Sequence, residues 1–151
     1  KGIRKYRPKI IFFPHYYDRH PDHYNTHYLI KEAAFYSGLE KIKTPGLKAY
    51  RAKRNIYYMQ TYSFEPNIIF DISETFKTKM EAVKCFSTQF FSGSTKSKKV
   101  AETFISTKAF MDYIEARSKF YGFRIGTAYG EAYFAEENIK INSDTLFKIT
   151  G

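Results

Sequence analysis

The chain has 151 residues, 43% of them hydrophobic and 19% aromatic, with a formal net charge of +10, which allows a sizeable core and argues against intrinsic disorder. A single cysteine, Cys85, excludes an internal disulfide and a cysteine-rich zinc site, and fits a reduced, cytoplasmic setting. No run approaches the roughly eighteen apolar residues of a membrane span, and the basic excess is dispersed over 1–9, 48–54 and 96–99 without an RNP-type strand, so nucleic acid is disfavoured against a solvated basic surface or an anionic small substrate.

In chain order, residues 1–8 read as the last turn of a helix running into a strand, and the opening Lys1 in place of methionine is the mark of a fragment. Residues 9–13 form an apolar run bounded by Pro8 and Pro14; its lack of alternation predicts a strand buried on both faces. Pro21 suits a first helical position and Gly38 a C-terminal cap, which predicts a helix over 21–36 with Leu29, Ile30, Ala33 and Ala34 as its apolar face. The basic stretch 41–53 contains Pro45-Gly46 and reads as a loop. Strands are predicted over 55–61 and 67–72, with a turn at Glu65-Pro66 between them.

Phe76, Met80, Val83, Phe86 and Phe90 recur at helical spacing over 74–90, a stripe that reads as core packing rather than a cofactor site. Residues 92–102 are of low complexity and predict a surface loop. Ser106 is a candidate N-cap for a helix reaching 120–121 and stopped by Gly122. Residues 126–134 are glycine-broken and aromatic, a loop leading into an edge strand. Strand and helix signals alternate, with no repeat and no interior linker, so the reading is one α/β domain over 1–151.

The chemistry concentrates in one place. All four histidines, His15, His20, His23 and His27, fall within thirteen residues, and imidazole is the side chain suited to hold a transition metal or move a proton near neutral pH. With Pro21 in the first helical turn, His20 stands at the helix start and His23 one turn in, above the C-terminal end of the preceding strand, where open α/β sheets bind ligands. His23 could bind zinc while His20 donates a proton or hydrogen bond to a developing oxyanion. Asp22 and Asp18 are near enough to orient an imidazole by accepting its other N–H. Asp22 could equally serve as a helix-start carboxylate. Arg19 could clamp a carboxylate or phosphate of a substrate, or pair with Asp18 on the surface. His15 and His27 read as packing or supporting residues.

The motif Asp18-Arg-His-Pro-Asp-His23 and the following helix through Glu32-Ala-Ala-Phe-Tyr-Ser-Gly-Leu-Glu40 resemble the second half of the LmbE-like zinc N-deacetylases, in particular the bacillithiol-biosynthesis branch that removes acetyl from N-acetylglucosaminyl malate. The stretches 64–73, 79–90, Phe104-Ile-Ser-Thr-Lys, Glu115-Ala-Arg117 and Ile125-Gly-Thr-Ala-Tyr-Gly-Glu131 agree, so the resemblance covers roughly Tyr6 to Lys140. It implies a Rossmann-like three-layer α/β sandwich, of which this chain would be the C-terminal portion lacking the N-terminal strands. It also implies one zinc ion with His23 as a ligand, His20 as general acid and oxyanion stabiliser, Asp22 as its orienting partner and Tyr129 as a hydroxyl near the oxyanion. Tyr129 has an equal reading as a packed strand aromatic. The family's other zinc ligands and general-base aspartate lie in an Ala-His-Pro-Asp-Asp-type loop, and this chain has no second His-Pro-Asp. The expected partner is a small N-acetylglucosaminyl substrate rather than a membrane, with a homo-oligomer for the complete protein, and with this chain inactive by itself.

Overall fold

Strands β1 (Ile10–Pro14), β2 (Arg54–Tyr58), β3 (Ile68–Asp71) and β4 (Gly130–Phe134) form an open mixed sheet in the order β1-β2-β4-β3 in the computed structural model, which describes residues 1–86, 89–90 and 103–149. Helices α1 (Gly2–Tyr6), α2 (Pro21–Ser37), α3 (Phe76–Lys84), α4 (Lys108–Arg124) and α5 (Ser143–Ile149) accompany it. The mixed α/β class is as expected from the alternating signals. β4 departs from the expectation of an edge strand: it lies between β2 and β3. The predicted loop at 92–102 lies outside the described residues. No described helix is long and apolar enough to cross a membrane.

The chain divides into two compact units, Lys1–Ile68 with Tyr133–Gly151, and Ile69–Ala132. In the first, β1 and β2 pair in parallel with Phe13 opposite Tyr57, and β2 pairs antiparallel with the end of β4, Tyr57 opposite Phe134. Phe13, Tyr57 and His27 are fully buried and meet ring to ring, with Tyr57 4.7 Å from both of the others. Burying a ring of this size contributes about 1.5–3 kcal/mol. Contrary to the two-sided burial expected of β1, Ile10 and Phe12 are exposed while Phe13 is not. The cause is positional: β1 is the edge strand, and α2 packs against it.

Helix α2 begins as its sequence demands. Pro21, whose missing N–H costs nothing in the first turn, follows His20, whose side chain caps the helix. The face it buries overlaps the predicted one in part: Ala34 is buried and Ile30 half-buried as expected, joined by His27 and Ser37, whereas Leu29 and Ala33 face outward. A hydrogen bond between His27 Nδ1 and the Pro14 carbonyl, 2.8 Å long, sets that rotation. The far end is held by the buried Arg4, whose guanidinium donates to the carbonyls of Ser37 (3.0 Å), Leu39 (2.8 Å), Ile42 (2.7 Å) and Tyr36 (3.3 Å), and to Thr44 Oγ1 (3.0 Å). Tyr36 and Ser37 lie in the last turn of α2, whose carbonyls have no intrahelical partners, while Leu39, Ile42 and Thr44 belong to the segment that follows; a cation there also meets the negative end of the helix dipole. Pro45-Gly46 turns the chain directly afterwards, with Gly46 at φ 73° and the Leu47 amide bonded to Thr44 O at 3.0 Å, as a type II turn requires.

In the second unit Phe110, Met111 and Ile114 form a core against which Met80, Val83 and Phe90 pack, so the predicted stripe is core as expected, apart from Phe86, which is exposed. α3 is shorter than the predicted 74–90, ending at Lys84, and Phe90, whose amide donates to the Phe86 carbonyl, joins the core from outside it. α4 starts one residue beyond the expected cap, because Thr107 rather than Ser106 accepts from the Phe110 amide. Nor does Gly122 stop it; the helix continues to Arg124. A Cβ at Gly122 would stand 2.7 Å from the Tyr129 amide nitrogen, and one at Gly130 would stand 2.7 Å from the Gly122 nitrogen. The glycine is there for close approach of two backbones, which explains why it does not terminate the helix.

Candidate active site at the start of helix α2

The centre of this site is a carboxylate. Asp18 lies on the loop between β1 and α2, its side chain only 2% exposed. Oδ1 accepts from the His20 amide (3.1 Å) and faces His23 Nδ1 (2.8 Å), while Oδ2 accepts from the amides of Thr61 (2.8 Å) and Tyr62 (3.4 Å). Burial alone would raise the Asp18 pKa, but these four N–H groups together outweigh it and hold the carboxyl below its ordinary 3.8. Asp18 is therefore ionised at neutral pH, and the hydrogen between it and His23 belongs to the imidazole.

That assignment fixes two tautomers. His23 carries its proton on Nδ1, which leaves Nε2 with a free lone pair, the arrangement in which a carboxylate orients a metal-binding or basic histidine. His20 is the reverse. Its Nδ1 accepts the Asp22 amide at 3.2 Å as the helix cap, so its proton sits on Nε2. The two rings lie side by side, centroids 4.9 Å apart and tilted by 31°, with the His20 side chain 55% and that of His23 30% exposed. A lone pair and an N–H donor thus occur on neighbouring, solvent-accessible imidazoles.

The other candidates are placed as follows. The Asp22 carboxylate is 3.9 Å from His20 Nδ1, whose lone pair is already taken by the Asp22 backbone, so its contact with the ring is electrostatic. Asp18 does not form a surface pair with Arg19; it is buried, and Arg19 is exposed. His15 and His27 are buried: His15 accepts the Tyr17 amide at 3.1 Å and lies between Tyr16 and Phe64, and His27 donates to Pro14. Burial holds both imidazoles below 6.5. Tyr129 belongs to the second unit, where its ring stacks on Phe76 at 3.8 Å.

Sequence reasoning placed Asp18 near an imidazole but not at the centre of four donors. One local signal was available: an aspartate two residues before a helix N-cap readily forms an Asx turn, here with the His20 amide. The contribution of residues 61–62 is long-range and has no local signature.

For zinc, the donor chemistry at His23 fits: a neutral imidazole with its lone pair free and its other nitrogen tied to a carboxylate. Among the described residues, no group of three His, Cys, Asp or Glu side chains is arranged to hold a metal ion.

No family model matches the chain. It is similar to the diacetylchitobiose deacetylase of Thermococcus kodakarensis, with 34% identity over 92 residues, 58% of this chain and 34% of that protein, so the chain spans well under half the length of this curated relative. Among solved structures, the conserved protein TT1542 from Thermus thermophilus has a TM-score of 0.77 at 24% identity, covering 93% of this chain and 57% of that one. The N,N'-diacetylchitobiose deacetylase from Pyrococcus horikoshii, complexed with its inhibitor MPG, has a TM-score of 0.69 at 24% identity, covering 95% and 52%. GalB, the 4-carboxy-2-hydroxymuconate hydratase from Pseudomonas putida, has a TM-score of 0.68 at 17% identity, covering 93% and 57%. These structural likenesses show a shared α/β fold. Since a hydratase and a deacetylase share it, the fold does not choose the reaction, and the site must.

Proposed function

We propose that this chain supplies the α2 side of the active site of a zinc-dependent N-deacetylase of the LmbE-like type, which hydrolyses the N-acetyl group of an N-acetylated amino sugar. The observation that carries the reading is the Asp18–His23 pair with His20 alongside: one imidazole with a free lone pair and a neighbour with a free N–H. The 34% identity to a diacetylchitobiose deacetylase supports it.

His23 Nε2 is assigned as one protein ligand. A catalytic zinc takes about three protein ligands, so the others, together with the general base, are assigned to residues outside this chain. Zinc, when bound, supplies Lewis-acid polarisation of an amide carbonyl and lowers the pKa of water to about 7. His20 Nε2–H donates to the oxyanion as the amide carbon becomes tetrahedral. Taking up the proton released from the attacking water at Nδ1 makes the ring an imidazolium, which the nearby Asp22 carboxylate stabilises, and the imidazolium then passes its Nε2 proton to the departing amine and returns to the neutral ring. Arg19, exposed one residue before His20, is assigned to an anionic group of the substrate.

The preferred substrate is N-acetylglucosaminyl malate of bacillithiol biosynthesis, whose carboxylates would answer Arg19 and the basic surface. Chitobiose-type N-acetylglucosamine oligosaccharides form the second substrate class, favoured by the likeness to the Thermococcus diacetylchitobiose deacetylase.

The test is acetate release from both substrates by the full-length protein, with zinc and after chelation. His20→Ala is expected to keep zinc and lose about 100- to 1000-fold in kcat, and His23→Ala to lose zinc. Normal turnover in either variant would overturn the assignment.

A further inference from the structure

Two tyrosines flank the carboxylate that orients His23. Tyr17 immediately precedes Asp18, and the Tyr62 amide donates to Asp18 Oδ2 at 3.4 Å, beside that of Thr61 at 2.8 Å. Their rings meet with centroids 5.0 Å apart and planes tilted by 38°, yet Tyr17 remains 55% and Tyr62 41% exposed. Tyr16, itself 47% exposed, turns its ring onto those of His15 and His27 instead. A lone exposed aromatic ring calls for no explanation, whereas two in contact beside functional imidazoles form an apolar patch of the kind that marks a binding surface.

We infer that Tyr17 and Tyr62 form a stacking platform for the pyranose ring of the substrate, an inference that rests on the deacetylase reading above. A glucosamine chair carries its ring hydroxyls at the rim and presents axial C–H bonds on its faces. Those hydrogens, polarised by neighbouring oxygens, suit the electron-rich face of a phenol ring. Tyrosine adds a rim hydroxyl that can meet sugar oxygens or water, and its few rotatable bonds make ordering cheap.

The position of the platform follows from Asp18. One oxygen holds the His23 ring and the other holds the backbone at 61–62, so the platform and the imidazole are registered to each other through a single side chain. A sugar stacked there has its N-acetyl substituent carried at a set offset from His23 and His20. The tyrosines are then determinants of sugar recognition, and their loss weakens binding of the sugar rather than the chemistry at the amide.

The experiment is titration of the protein with N-acetylglucosamine, N,N'-diacetylchitobiose and the sugar-free N-acetylethanolamine, followed by saturation-transfer NMR. Both sugars are expected to bind, with saturation strongest at pyranose C–H protons. Tyr17→Ala combined with Tyr62→Ala should lower sugar affinity about tenfold, while Tyr17→Phe and Tyr62→Phe, which keep the rings, should hold it within about threefold. Sugar binding unchanged in the alanine variant, or saturation confined to the acetyl methyl group, would overturn the platform and leave the deacetylase reading standing. Should the alanine variant fail to fold, the saturation pattern of the unaltered protein decides by itself. If that protein neither binds these sugars nor releases acetate from them or from N-acetylglucosaminyl malate, the deacetylase reading falls and the platform with it.

Discussion

The Nδ1 of His23 stands 2.8 Å from Oδ1 of Asp18, and that carboxylate is also the anchor of residues 61–62. Asp18→Asn keeps the shape but leaves an NH2 group facing N–H donors. We expect the variant to lose about 2–3 kcal/mol of stability in urea denaturation. Ring nitrogen NMR should show His23 protonated on Nδ1 in the unaltered protein and no longer held in that tautomer in the variant. A variant of unchanged stability with the Nδ1–H tautomer intact would contradict the assignment.

Acid should weaken the fold in two stages. Burial, reinforced by their mutual repulsion, keeps His15 below 6.5, and burial keeps His27 there too. The unfolded chain therefore binds more protons as pH falls below 6.5. Stability is full above that pH and is lost as pH drops through the depressed folded values, at up to about 1.4 kcal/mol per pH unit for each proton. Protonating His27 would also place an N–H at Nε2, a buried atom with no partner. Asp18, depressed from 3.8, adds a second loss below that pH. Urea midpoints measured from pH 8 to 3 should show both falls, and a flat profile between pH 7 and 5 would exclude the first.

Arg4→Ala should cost about 3 kcal/mol, since it removes the charged hydrogen bonds that tie the last turn of α2 to residues 39–44. Arg4→Lys should recover only part of this, because an ammonium has at most three N–H bonds to give and no planar fork. Thermal melts of the two variants settle the order; a lysine variant as stable as the parent would show that charge alone is what α2 needs.

Gly122→Ala sets two effects against each other. Alanine is the better helix former by about 1 kcal/mol, but its Cβ would stand within 2.7–2.8 Å of backbone atoms of residues 127–129. Backbone cannot step aside as a side chain can, so the clash wins and a net loss of about 1–3 kcal/mol is expected. A melting temperature equal to or above that of the parent would refute the close approach.

The α/β class, the start of α2 and the side-by-side placing of His20 and His23 were readable because each has a local cause. Pro21 fixes a helix start, and proximity in sequence forces His20 and His23 onto adjacent turns. What could not be read depends on partners far along the chain. Leu29 looked like a buried residue by hydrophobicity, but the bond from His27 to Pro14 turns the helix so that it faces solvent. Gly122 had the composition of a stop, and only the passage of residues 127–130 beside it explains why the helix runs on. Arg4 carries no sequence signal of burial, because the carbonyls that compensate it come from 32 to 38 residues away.

Arg4 and the imidazoles occupy opposite ends of one stiff rod, about 25 Å long at 1.5 Å per residue. Clamped at one tip and keyed near the other by His27, it has no freedom to slide, so the nitrogens of His20 and His23 inherit their coordinates from a guanidinium at the far tip. A random-mutagenesis screen for lost turnover should accordingly recover hits at Arg4 and Thr44, and a designer grafting the histidine motif elsewhere would have to carry that distant latch along.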